Sequence, residues 1–295
     1  MFKILDSHKI ALMAIIIASV VGGAMPVFIK IALKEIPAFS FTFFRFLIAS
    51  LFLIPFLLRE KNSKRVSRKL IAISVLATVN VFFFAFGVML TTASAGQMLY
   101  TSVPIIAAIL SYFLLKEKIG LRKALGVTLG FLGATTIVIL PLLGKSGFAG
   151  DLFGNLLIVV AVASFAVYSV LSKRIQERYS PLYITTVFSL LTMFVAAIFM
   201  VNDFANYPSW WNAVSLESIV ATVYVGIFGT FIFHLLYQYA IKHGTPLIAS
   251  MILYLQPLMT FIWAFALLGE MLTIVFVLGS IFTFIGVWMT TKKGK

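Results

Sequence analysis

Long apolar runs of about twenty residues, separated by short loops that carry nearly all the charge, constrain this chain more than any other feature. Each run is long enough to cross a hydrocarbon layer as a helix. Inside lipid every backbone N–H and C=O must be satisfied within the segment, so helices and closed barrels are the two permitted solutions. A barrel needs short strands of alternating polarity, and these runs alternate little. Composition agrees: 62% of residues are hydrophobic and 11% are charged. A soluble domain carries about a quarter of its residues charged. The expected fold is therefore an all-α integral membrane protein.

Ten spans are predicted. The first five cover Ile10–Lys30, Ala38–Leu58, Leu70–Leu90, Ala93–Leu115 and Leu121–Leu143. The second five cover Leu152–Leu171, Leu182–Val201, Ile219–Ile241, Leu247–Leu268 and Leu272–Thr290. The N-terminal run lacks a convincing cleavage site and reads as a retained first helix. One longer connection, Asn202–Ser218, holds Tyr207, Trp210 and Trp211, which suit the headgroup level.

The net charge of +14 does not indicate nucleic-acid binding, because the basic residues lie between apolar segments. They lie instead on alternate loops. With the N-terminus in the cytoplasm, 19 of the 23 basic residues fall on the cytoplasmic side. The exceptions are Lys30, Lys34, Lys145 and the intramembrane Arg45. Excess Lys and Arg mark cytoplasmic loops, so both termini are expected inside a plasma membrane, bacterial or archaeal.

The second half repeats the first. Pro104 and Pro257 each precede a glutamate, Glu117 and Glu270, by thirteen residues. The same offset pairs Gly126 with Gly279, Gly133 with Gly286, and Thr92, Met98, Ile109, Leu114, Leu115, Leu125 and Phe131 with identical residues. A slightly shorter offset pairs Pro37 with Pro181 and Phe44 with Phe188. The unit is five helices, residues 1–145 and 146–295. Five is odd, so the second copy enters the membrane from the opposite side, giving inverted repeats. Lys116-Glu117-Lys118 becoming Gly269-Glu270-Met271 fits that change of side. Two inverted copies have two nearly equivalent packings, one open to each side, which favours a carrier.

With these motifs the chain resembles the EamA-type members of the drug/metabolite transporter superfamily over essentially its whole length. Pro104, Leu114-Leu115-Lys116-Glu117-Lys118, Gly126 and Gly133 carry the resemblance, with the copy Pro257, Leu267-Leu268-Gly269-Glu270, Gly279 and Gly286, and Phe44-Arg45-Phe46. It implies ten helices in two inverted five-helix repeats, a central cavity and transport; the expected function is export of a small metabolite such as an amino acid, suggested by a neutral, aromatic-rich lining. Cargo, direction, coupling ion and oligomeric state stay open.

Polar groups within spans are costly and are functional candidates. Gln97 and Thr101 share a helix face with Pro104, and their copies are Ser250, Tyr254 and Pro257. Asn80, His234 and Gln238 supply neutral donors and acceptors, and His234 is a candidate proton carrier. Tyr168 and Ser172 share a face of the sixth span, and Trp263 offers a stacking surface. Each has a plainer reading as a helix-packing contact. Arg45 is either a charge for an anionic group or a gate that pairs with a carboxylate, or else a side chain that snorkels or bonds to backbone carbonyls. Glu117 and Glu270 read as complements to helix N-termini.

No carboxylate falls at mid-span, so a buried acidic proton relay is not expected. No cysteine is present, and His8, His234 and His243 have no metal-ligand spacing. Gly144-Lys145-Ser146 ends like a phosphate-binding loop, but Ile139 stands where the first glycine belongs. No cofactor and no enzymatic activity are expected. A membrane-embedded enzyme and a receptor or scaffold without flux are the alternatives weighed.

Overall fold

The computed structural model describes residues 7–58, 65–91, 96, 99–139, 151–268 and 274–292. These residues form helices and short connections, with no strand among them. The first half contains α1 (Ser7–Gly23), α2 (Met25–Ala32), α3 (Ala38–Leu58), α4 (Arg68–Leu90), α5 (Val103–Leu115) and α6 (Leu121–Ile139). The second contains α7 (Leu152–Ile175), α8 (Pro181–Asn206) and α9 (Leu216–Tyr224), a π-helix over Val225–Ile232, then α10 (Phe233–His243), α11 (Pro246–Ser250), α12 (Ile252–Leu268) and α13 (Ile274–Thr291). Among the described residues, six helical stretches are long and apolar enough to span a bilayer: Ser7–Ala32, Ala38–Leu58, Arg68–Leu90, Leu152–Ile175, Pro181–Asn206 and Leu216–His243. Shorter apolar helices cover Val103–Leu115, Pro246–Thr260 and Val277–Thr291. Phe113, Leu121 and Leu152 are 71%, 76% and 74% exposed. In water such apolar exposure would drive association; against lipid it is the matching surface.

The helices start where the sequence supplies caps. The side chains of Ser67, Asp151, Ser180, Ser215 and Thr245 each accept an N–H from the first turn of α4, α7, α8, α9 and α11. α5 ends at Lys116, whose φ of 53° lies in the left-handed region. Glycine is the residue that tolerates that conformation most readily.

Helix pairing follows the sequence repeat. α6 packs on α13 and α3 on α8, each pair joining equivalent helices. The contact of α4 with α7 has its counterpart in α1 with α10, and that of α5 with α7 in α1 with α12. At the α6–α13 crossing, Gly126 faces Gly286 and Gly133 faces Gly279, so the two helices run antiparallel. A Cβ on Gly286 would lie 2.3 Å from the backbone nitrogen of Gly130. The repeated glycines are thus what lets the two backbones touch.

Polar contacts tie both ends of the bundle. At one end Asp203, at the close of α8, accepts the N–H and hydroxyl of Ser40 at 2.7 Å each. Nearby, Glu35 accepts the N–H and hydroxyl of Ser215 at 2.8 and 2.7 Å. The hydroxyl of Ser218 and these two Ser215 donors hold the Glu35 carboxyl below its ordinary value. At the other end Lys173 donates to the carbonyls of Ile241, Lys242 and Gly244 at 2.8–2.9 Å, neutralising the exposed C-terminus of α10.

Candidate functional site

Between the two halves lies a cavity of about 90 Å³, room for several waters or a small organic group. Five polar side chains reach its wall: Arg45, Asn80 and Tyr100 from the first half, His234 and Gln256 from the second. Phe84, Phe165, Phe233, Val81 and Leu253 are among its apolar lining residues. A few convergent polar groups on an apolar, aromatic wall are the usual composition of a small-molecule site.

Each polar group is oriented by its own element. Asn80 sits in mid-α4 and donates both amide hydrogens, to the Tyr100 hydroxyl and to the Ala161 carbonyl at 2.8 Å. That fixes the amide plane. Tyr100 stands just before α5, where the chain turns at Thr101–Ser102. Its hydroxyl accepts from Asn80 and keeps its own hydrogen for another acceptor. His234 follows the π-helix, and its Nδ1 lies 3.0 Å from the Thr230 carbonyl. A nitrogen facing a carbonyl must carry the hydrogen, so Nε2 is the ring's acceptor in the neutral form. Gln256 precedes Pro257, which has no N–H to offer the Leu253 carbonyl one turn earlier. Gly22 gives Gln256 its place, since a Cβ there would lie 2.7 Å from Gln256 Nε2 and 2.9 Å from the Phe233 ring.

Arg45 stands two turns into α3 and is 5% exposed. Its guanidinium lies 4.9 Å from the Phe46 ring centre and 5.5 Å from that of Phe41. Its Nε is buried without a hydrogen-bond partner, and no carboxylate pairs with it among the described residues. A snorkelling arginine would place its head in water. This one points its charge into the protein.

The remaining candidates lie elsewhere. Tyr168 and Gln238 form a separate buried cluster. The Gln238 amide donates to the Tyr168 hydroxyl and to Ser172, and accepts from Gln176 at 2.6 Å. Tyr254 donates to the Val127 carbonyl at 3.0 Å and packs on Gly130, so it joins α12 to α6. Ser250 donates to the Leu247 carbonyl, and Trp263 to the Val20 carbonyl. Thr101 is fully buried at the turn before α5. Pro104 occupies the first turn of α5, where a missing N–H costs little, whereas Pro257 lies inside α12. Glu117 pairs with Lys123 at 2.9 Å. Gln97 and Glu270 fall outside the described residues.

Sequence reasoning missed Tyr100 and Gln256. Gln256 carried a usable signal: it is an uncharged polar residue at mid-span beside the repeated proline. Tyr100 carried none, because hydropathy cannot separate a tyrosine that packs from one that faces a cavity. The π-helix beside His234 also had no sequence mark; such wide turns concentrate at functional sites.

The EamA-like transporter family model matches residues 9–139 and again 152–292. The chain belongs to that family. It is therefore a membrane transporter for a small molecule, built on a duplicated domain. An "uncharacterized transporter" of Archaeoglobus fulgidus is 31% identical over 273 residues, 90% of this chain and 92% of that one. The uncharacterized transporter YetK of Bacillus subtilis is 32% identical over 225 residues, 72% of this chain and 66% of that one. A solved crystal structure matches with a TM-score of 0.77 at 18% identity, covering 96% of this chain and 94% of that one. At that identity the likeness shows a shared fold.

Proposed function

We propose that this family member is a secondary carrier that exports a small metabolite, such as an amino acid, by alternating access around the central cavity. The reading takes the chain as ten spans in two inverted five-helix units, 1–145 and 146–295. The observation that carries it is a polar cavity drawn from both halves, Arg45, Asn80 and Tyr100 facing His234 and Gln256, between helices whose contacts exchange under the repeat. The antiparallel crossing of Gly126 on Gly286 and Gly133 on Gly279 supports inversion, because equivalent helices of a parallel duplication would run the same way.

In this reading Arg45, Tyr100 and His234 hold the cargo, Asn80 orients Tyr100, and the Tyr168–Gln238–Gln176 cluster closes one exit. The Glu35–Ser215 and Asp203–Ser40 contacts close the other. Each is a small set of hydrogen bonds, the scale expected of a gate that must open reversibly. The charge on alternate loops supports cytoplasmic termini, and prokaryotic relatives support a bacterial or archaeal plasma membrane.

Counterflow in proteoliposomes tests the function. Preloaded unlabelled metabolite should drive uptake of its labelled form, and His234→Phe should slow exchange at least tenfold in folded protein. Absence of exchange across a metabolite panel would refute the carrier. Cysteine labelling tests the topology: termini reacting from opposite sides would refute inversion.

A further inference from the structure

We propose that the cargo is a small organic monoanion, a carboxylate on a compact apolar body, and that Arg45 is its counter-charge. This deepens the carrier reading and rests on it.

Arg45 is buried, lines the cavity and meets no carboxylate among the described residues. The acids near the bundle ends are already engaged, Glu35 by Ser215 and Asp203 by Ser40. A buried cation without a counter-ion is costly, and removing one partner of a buried pair leaves the same penalty. In this cavity the missing partner is what a bound ligand would bring. Phe41 and Phe46 steady the guanidinium through their rings, and the buried Nε, which has no partner, is left for an oxygen acceptor.

The neighbouring donors narrow the class. Asn80 has spent both amide hydrogens, on Tyr100 and Ala161. Tyr100 still has its hydroxyl hydrogen, so an anion at Arg45 finds a second, neutral donor on the same wall. One cation beside neutral donors, the Tyr100 hydroxyl and the Gln256 amide, suits a carboxylate better than a dianion. The rest of the wall carries no charge: His234 and Gln256 are neutral polar groups, and Phe84, Phe165, Phe233 and Leu253 are apolar. Among the described residues no lining side chain is acidic, so none of them balances an ammonium. A zwitterion would satisfy Arg45 and leave its own cation unbalanced, whereas a monoanion leaves the cavity neutral. The inference therefore separates a carboxylic acid from the amino acid of the same skeleton.

Calorimetry on the full-length purified protein at pH 7 tests this with two matched pairs: 3-phenylpropanoate against phenylalanine, and 3-methylbutanoate against valine. At least one carboxylate should bind ten times more tightly than its amino acid. Its uncharged carboxamide should not bind. Arg45→Gln should weaken that carboxylate about a hundredfold, and Arg45→Lys should retain part of the affinity. Equal or tighter binding of the amino acids, no binding of either carboxylate, or unchanged affinity in Arg45→Gln would each overturn the proposal. Should Arg45→Gln fail to fold, the carboxylate and carboxamide comparison on the native chain decides. Carboxylate binding without any counterflow would sink the carrier and leave the anion site standing. Amino-acid counterflow by Arg45→Gln protein would do the reverse.

Discussion

Lys116 holds a backbone conformation that its side chain disfavours, with φ at 53° after α5. The equivalent position in the second half is Gly269. Lys116→Gly should therefore stabilise the protein by about 0.5–1 kcal/mol, read as a higher Tm in detergent. At the cavity, Gly22 is the corresponding single-atom lever. Gly22→Ala would drive a methyl into Gln256 and Phe233, and should lower cargo affinity without unfolding the chain, checked by binding alongside thermal denaturation. Glu35 sets a pH dependence whose sign follows from its depressed value. A carboxyl held lower in the folded state contributes stability above its ordinary range and loses it as pH falls through the folded value. Glu35→Gln should flatten the acid limb of a Tm-against-pH profile below about pH 4.5 and leave the neutral region sloped as before.

At the scale of elements, the α6–α13 crossing admits no side chain at Gly286, because Gly130 backbone lies 2.3 Å from where a Cβ would sit. Gly286→Ala should cost about 1–3 kcal/mol, seen as a lower Tm and poorer recovery of folded protein. Much of this level was legible beforehand. The glycines that repeat in sequence are the ones that touch, since close approach leaves a compositional trace. Helix continuity was not legible. The span read as Ile10–Lys30 divides at Ala24 into α1 and α2, and Leu247–Leu268 divides at Met251 into α11 and α12. Hydropathy records which residues tolerate lipid, whereas a break depends on local hydrogen bonding that apolar side chains do not announce. The polar candidates divide for a related reason. Asn80 and His234 reach the cavity, while Tyr168 and Gln238 satisfy each other and Tyr254 caps a neighbour's carbonyl. A polar residue within a span shows that a partner is needed, and only the packing shows which one.

For the whole molecule, the Asp203–Ser40 and Glu35–Ser215 contacts join the two halves, whereas the Tyr168–Ser172–Gln176–Gln238 cluster ties α7 to α10 within the second half. Each of the end contacts seats one carboxylate, the buried Asp203 against Ser40 and the half-buried Glu35 against Ser215. Gln238→Leu would instead strip Tyr168, Ser172 and Gln176 of a buried partner together, and should both destabilise the protein and open a leak. Such a leak would show as counterflow that no longer needs cargo on both sides of the vesicle. Fully buried networks of this kind are stiff when satisfied and costly when halved, which suits a closed exit.

The wide turn at Val225–Ile232 has a consequence for motion. It stores one residue more than an ordinary coil of the same height, directly ahead of His234. If that surplus were handed one step along the rod, every side chain it passed would be reclocked by about 100°. The imidazole would swing off the chamber wall while the rod kept its length and its anchored ends. A lateral rearrangement at mid-depth thus needs no sliding of the whole segment through its neighbours.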